Sequence, residues 1–257
     1  MKQGGEDRDG RLGSRAVQAT FLIVLIVLWY LATTRWRVSP LLLPNPVAVW
    51  RDFWDILTTG EFIGDLRITL TELAAAFATA ATSGVVVGYA ISRSQYRIRV
   101  LEPLFSAIYA VPIILFLPLY VLFFGLGPAS KIALGATISF FPIALSTIAG
   151  FGYVDKVLVT AARSMGASDY QLFRYVLLPA ALPIILTGMR MGFTVALLSI
   201  IGSETIASLG GLGHRIVHLA EAMETARMFA YIAFVVAIAA ILNVMVSTLE
   251  ARGKHPS

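Results

Sequence analysis

The chain has 257 residues, 58% of them hydrophobic and 14% charged, with a net charge of +5 at pH 7. Soluble domains hold roughly 45–50% apolar and about 25% charged residues, and here the excess lies in long runs, which points to a membrane protein. Cysteine is absent, which excludes disulfides, thiolate metal sites and cysteine nucleophiles. The cations cluster at the ends of apolar runs, as expected for orientation against a membrane rather than for nucleic-acid binding.

Residues 1–15 read as a charged tail ahead of the apolar run Ala16–Leu31. A secretory leader is the alternative, but the run is long for one and "TTRWR" is a poor cleavage site, so a retained first span is expected. A hydrocarbon core of about 30 Å needs roughly 20 helical residues. Six segments meet that length, near 16–34, 66–92, 98–124, 129–150, 179–202 and 228–249. The expected fold is therefore all-α: a polytopic bundle of six transmembrane helices forming one domain over 16–250, with tails at 1–15 and 251–257.

After the first span, "VSPLLLPNPVAVWRDFWDIL" begins with prolines. Val47, Trp50, Phe53, Trp54 and Leu57 then recur near helical spacing. This predicts an amphipathic helix at the outer interface, where Trp is favoured. Pro112 and Pro118 interrupt the third span and should kink it, because proline removes backbone donors. Such breaks are tolerated inside a bundle or beside a cavity, so this span is expected to face the bundle and to line a pathway.

Lys and Arg set the orientation. With the N-terminus inside, the inner segments hold Lys2, Arg8, Arg11, Arg15, Arg93, Arg97, Arg99, Lys156, Arg163, Arg174, Arg252 and Lys254. The outer segments hold Arg35, Arg37, Arg51, Arg67, Lys131, Arg215 and Arg227. Both termini and the loop 151–178 are then cytoplasmic. That loop reads as two short helices. Thr160, Ala161, Ala162 and Arg163 suit the first, Gly166 permits the bend after it, and Ser168 or Asp169 caps the second. Pro179 should break the regular pattern where the chain re-enters the membrane, with Pro183 one turn later. Small alanines beside a bend admit close approach of a partner, and Leu172 and Phe173 offer an apolar foothold; an ordinary polar connector is the alternative.

Two charges fall within spans. An unpaired cation at Arg190 costs roughly 2.5–3.5 kcal/mol at mid-membrane, so it should face the bundle or water. It either attracts an anion in the pathway or belongs to a structural pair or snorkels. Glu72 lies near the outer end of the second span. His214, His218 and Glu221 sit on one helix face, but lack a fourth ligand, and no metal site is expected.

The loop resembles the signature E-A-A-x3-G-x9-I-x-L-P of permease subunits of binding-protein-dependent ABC importers. Its alanines fall on Ala161 and Ala162, its glycine on Gly166, and its end on Val176, Leu178 and Pro179. Thr160 stands where Glu is usual, and Val176 replaces Ile. "LLLPNPVAVW", "YAVPIILFLPLYVLFFGLGPASKIALGATISFFPI" and "SETIASLGGLGHRIVHLAEAMETARMFAYI" resemble the nitrate, sulfonate and taurine branch, over roughly residues 40–250. The resemblance implies a type I importer permease in the bacterial plasma membrane, with 151–178 as a coupling element that also includes Ala167, Leu172 and Phe173. It implies two ATPase subunits carrying ATP and Mg, a second permease copy, an extracytoplasmic substrate-binding protein and surrounding lipid as partners. Glu204 matches an acidic position of the branch, and Gly210, Gly211 and Gly213 form a flexible segment suited to a gate. At Glu72 the branch leads one to expect a basic residue. The chain has no G-x4-G-K-[ST] loop, so it binds no cofactor itself and ATP must be hydrolysed elsewhere.

Two other classes remain. A secondary transporter should show repeat symmetry and, for proton coupling, more intramembrane acids than Glu72. An intramembrane hydrolase needs a Ser such as Ser83 or Ser139 with a His or Lys base within the spans. The three histidines (His214, His218 and His255) fall outside them.

Overall fold

The computed structural model describes Val17, Thr20, Phe21 and residues 23–36 and 38–254, without the side chains of 249 and 252–254. The tail 1–15 and His255 lie outside the described residues. Among the described residues every regular element is helical. In chain order they are α1 (Ile23–Thr34), α2 (Pro46–Thr59), α3 (Phe62–Ser92), α4 (Gln95–Tyr109) and, after a 3-10 turn over Ile113–Phe116, α5 (Leu117–Phe124). Then come α6 (Pro128–Gly152), α7 (Lys156–Ser164), α8 (Asp169–Leu172), a π turn over Phe173–Leu177, α9 (Leu178–Ile206), α10 (Leu212–Glu221) and α11 (Thr225–Lys254).

The chain divides into two compact units, 1–61 with 216–234, and 62–215 with 235–257. In the first unit, Asn45 caps α2 by accepting from the Val47 N–H at 2.9 Å, with Pro46 at the first turn. Gly60, at φ 70°, ends it. Val49 and Ile56 are buried while Trp50 and Trp54 are exposed and pack edge to face at 5.6 Å. The helix and its exposed aromatic face thus take the form expected of an interfacial element. Arg227 joins α11 to this segment, pairing with Asp55 at 3.0 Å and Glu61 at 2.7 Å.

The second unit is built on α3, α6 and α9, whose facing surfaces are rich in small residues. A Cβ on Gly88 would stand 2.6 Å from Thr147 Cβ and 2.7 Å from the Ala144 carbonyl oxygen. One on Gly192 would stand 2.6 Å from Ile143 Cδ1. Membrane helices pack by close backbone approach rather than by expulsion of water, so these glycines set the spacing of the core. Ala76, Leu134, Ile143, Ala144, Ile148, Ala196 and Ile200 fill it.

Four helices are long and apolar enough to cross a membrane, beginning at Phe62, Pro128, Asp169 and Thr225. A fifth span exists if α4 and the Ile113–Phe124 segment are taken together, though they are bent by 71°. The expected kink at Pro112 and Pro118 is therefore a full break. Pro112 precedes the 3-10 turn and Pro118 sits in the first turn of α5, so each proline opens a new segment where its missing N–H is harmless. On α5, Leu117 is buried and the Tyr120 hydroxyl donates to Thr137 on α6 at 2.9 Å, while Leu119, Leu122, Phe123 and Phe124 are exposed within this chain. Helix α1, at 12 described residues, is shorter than a span, so the count of six is not met among the described residues.

Candidate functional site

Two constructions occupy opposite ends of the α3–α6–α9 core. The first is the loop between α6 and α9. Asp155 caps α7 by accepting from the Val157 N–H at 2.8 Å. The chain turns at Gly166, whose φ of +79° is strained for any residue with a Cβ. Ser168 then starts α8 in a reciprocal capping box: its Oγ accepts from the Gln171 N–H at 3.3 Å while Gln171 Oε1 accepts from the Ser168 N–H at 2.9 Å. Arg163 and Asp169 form an ion pair across the bend.

The regular α pattern gives way just before Pro179, where the chain forms the π turn. The backbone runs helically from Asp169 to Ile206 through the π turn, where the Leu178 N–H reaches the Phe173 carbonyl. The wider turn moves the ladder past the proline instead of ending it. Leu172 and Phe173, expected to offer an apolar foothold, pack inward. Leu172 is buried, and Phe173 packs on Phe151 and Tyr89 with centroids 6.0 and 5.4 Å away. Ala162 is buried too, whereas Thr160, Ala161 and Arg163 are exposed. Ala162, Leu172 and Phe173 therefore hold the loop to the bundle, while Val157, Leu158, Met165, Tyr170 and Tyr175 present its exposed apolar surface. Val176 and Leu178 are half-buried, as is Ala167.

The second construction lies where α3 and α6 begin and α9 ends. Glu72, Lys131 and Glu204 are all essentially buried and interact electrostatically. Lys131 Nζ donates to the Gly127 carbonyl at 3.1 Å and also to the Leu126 carbonyl. Glu204 Oε2 accepts from the Gly213 N–H at 2.8 Å and Oε1 from the Thr69 hydroxyl at 2.7 Å. Glu72 Oε2 has no hydrogen-bond partner among the described residues. Gly211, at φ +104°, leaves no room for a Cβ against the Glu204 carboxylate, and a Cβ on Gly213 would stand 2.5 Å from the Ile201 carbonyl. The segment thus wraps tightly around the Glu204 carboxylate. Gly210 lies just before this turn, where Ser208 Oγ donates to its carbonyl at 2.7 Å.

Asp65, Thr69 and Lys131 were not among the sequence candidates. Asp65, Thr69 and Glu72 recur at i, i+4 and i+7 on one face of a largely apolar helix, which is a detectable signal. Arg190 pairs with Glu250 at 3.2 Å, and Glu250 also accepts from the Thr187 hydroxyl at 2.9 Å, which is the structural-pair arrangement. A cavity of about 510 Å³ lies at the break holding Pro112 and Pro118, lined by Ile108, Val111, Phe116, Tyr120, Phe123 and Phe141. Among the described residues no group of three His, Cys, Asp or Glu side chains is placed to hold a metal.

Residues 80–255 match the family described as "Binding-protein-dependent transport system inner membrane component". The chain belongs to that family. It is 35% identical over 236 residues to the taurine transport system permease protein of Escherichia coli, covering 90% of this chain and 86% of that one. It is 30% identical over 230 residues to the riboflavin transport system permease protein of Chloroflexus aurantiacus, covering 89% and 85%. A solved structure titled an amino acid ABC transporter with histidines shares the fold, with a TM-score of 0.62 at 23% identity over 79% of this chain and 97% of that one. This member of the family is an inner-membrane, multi-pass permease of an ABC importer: a transport subunit, with ATP hydrolysis on separate subunits.

Proposed function

We propose that this permease carries a small polar or anionic organic solute, of the sulfonate, taurine, nitrate, aromatic carboxylate or vitamin-precursor kind, delivered by an extracytoplasmic binding protein. The range reflects the relatives, whose names specify taurine in one case and riboflavin in another. Two copies of the chain would enclose the pathway, each with six spans and both termini cytoplasmic, and two ATPase subunits holding ATP and Mg would dock beneath. Pro112, Pro118, Glu72, Arg190, Glu204, Gly210, Gly211 and Gly213 are the pathway or gate candidates, with Arg190 equally served by its pair with Glu250.

The observation that carries the coupling role is the loop itself. Its exposed apolar side chains stand on α7 and α8, and α8 continues into α9 without an interruption of the helix. Force applied by an ATPase at the loop would therefore reach the pathway through the α9 backbone. Thr160, Ala161 and Arg163 lie on the exposed part of that surface. The departure at Thr160 removes a carboxylate from it, and the Arg163–Asp169 pair supplies the charge beside the bend.

Gly166→Pro tests this reading, since proline cannot adopt a φ of +79°. Co-purification of the ATPase from membranes should be lost while the permease remains inserted at its normal level. Normal recovery of the ATPase with this variant would overturn the coupling role. Identification of the ligand bound to the partner binding protein by mass spectrometry would name the cargo. ATP-independent uptake would instead favour the secondary-transporter reading.

A further inference from the structure

Three successive backbone donors at the start of α10 are each held by a side chain of another helix. The Gly211 N–H donates to Asp65 Oδ1 at 3.2 Å, the Leu212 N–H to Thr69 Oγ1 at 2.9 Å, and the Gly213 N–H to Glu204 Oε2 at 2.8 Å. These are donors that a helix N-terminus leaves without intrahelical partners, and the positive end of the helix dipole favours the two carboxylates among their acceptors. Thr69 does more than accept. Its hydroxyl donates to Glu204 Oε1 at 2.7 Å, so one oxygen, 2% exposed, joins α3, α9 and α10.

The pieces around it are of two kinds. Leu212, 1% exposed, seats the helix start, whereas the segment before it contains Gly210 and Gly211 and turns at φ +104°. A glycine pair beside a seated helix start forms a hinge and a stop. Asp65 and Thr69 ride on α3, and Glu204 rides on α9, the helix continuous with the cytoplasmic-side loop. Any change in spacing between α3 and α9 must pull on the Thr69–Glu204 bond, and loss of that bond leaves the hydroxyl that accepts from the Leu212 N–H no longer fixed to α9.

From this geometry we infer that Thr69 is the positioning residue of a three-helix clasp, which fixes the α9–α10 joint to α3 and opens when α3 and α9 part during transport. The inference rests on the importer reading for its trigger, not for its architecture. Thr69 touches no substrate in this role; it acts through the placement of residues 211–213.

The absence of native cysteine makes spin labelling clean. Cysteines introduced at exposed Ile63 and Leu209 report the distance between α3 and the segment before α10 in the full permease–ATPase complex in lipid nanodiscs. Wild type and Thr69→Ser should give one narrow distance distribution, and Thr69→Val should give a broader one shifted to longer distance before any nucleotide is added. ATP with vanadate should move the wild-type distribution the same way. A Thr69→Val distribution that superimposes on wild type would overturn the clasp, as would a wild-type distribution unmoved in a vanadate-trapped complex. Failure of the ATPase to co-purify would count against the coupling role alone, because the Thr69→Val comparison reads the clasp without it. Thr69→Ser keeps the hydroxyl and so separates loss of the bond from general misfolding.

Discussion

The loop between α6 and α9 and the charged joint at the other end of the same helices solve the same problem differently. Each must turn the chain and satisfy backbone groups near a membrane boundary. In the loop the partners are local: Asp155 serves Val157, Ser168 and Gln171 serve each other, and Arg163 meets Asp169 six residues on. In the joint they are distant. Glu204 is served by Thr69, 135 residues away, and Gly211 by Asp65, 146 residues away. The loop's polar contacts are exposed and local, with Ala162, Leu172 and Phe173 seating it on the bundle, whereas the joint is buried and exists only when three helices are already packed. The hydrogen bonds of the loop close over a few residues, whereas those of the joint depend on the spacing of α3 and α9.

The comparison breaks if the joint tolerates what the loop tolerates. Lys131→Met removes a buried cation close to Glu72 and Glu204 together with its hydrogen bonds to the Gly127 and Leu126 carbonyls, and a hydrogen bond from a charged group is worth about 1.5–3 kcal/mol. Thermal unfolding followed by fluorescence-detected size exclusion should show a large loss of stability; an unchanged midpoint would mean that the cluster is not electrostatically coupled. Gly88→Val tests the spacing on which the joint depends, since its side chain would meet Thr147 and the Ala144 carbonyl. Overpacking of this kind costs roughly 1–3 kcal/mol, and the same assay should show an intermediate loss. At the loop, Arg163→Ala removes an exposed ion pair worth about 0–1 kcal/mol. It should leave the unfolding midpoint nearly unmoved. A shift as large as that of Lys131→Met would show that this pair does more than close the bend.

The same contrast explains what could be read from residues alone. The bend at Gly166, the cap at Ser168 and the amphipathic α2 follow from short-range rules, and each is visible in a window of a few residues. Glu204 and its glycines were visible through resemblance, but not the bonds that join them to Asp65 and Thr69, because nothing local ties residue 69 to residue 212. Lys131 read as a cation at the end of an outer loop, and only the packing of α3 and α9 around it buries it. The prolines show how far a local rule reaches. Pro112 and Pro118 were expected to kink their span and accompany a bend of 71°, while the break in pattern expected at Pro179 takes the form of a π turn inside a continuous helix. Proline removes one donor in every case; whether the helix survives depends on the turn its neighbours adopt.

The π turn at Phe173–Leu177 has a further consequence for angular register. A π turn takes in an additional residue, and each α-helical residue advances about 100° around the axis. The face that α8 shows outward and the buried face of α9 that carries Gly192 and Glu204 are thus set independently, although they share one rod. Deleting a single residue from this turn would leave every bond of the loop available and every side chain of the span present, yet rotate one set against the other. The turn works as a phase adjuster between the exposed apolar surface of the loop and the buried face of the span.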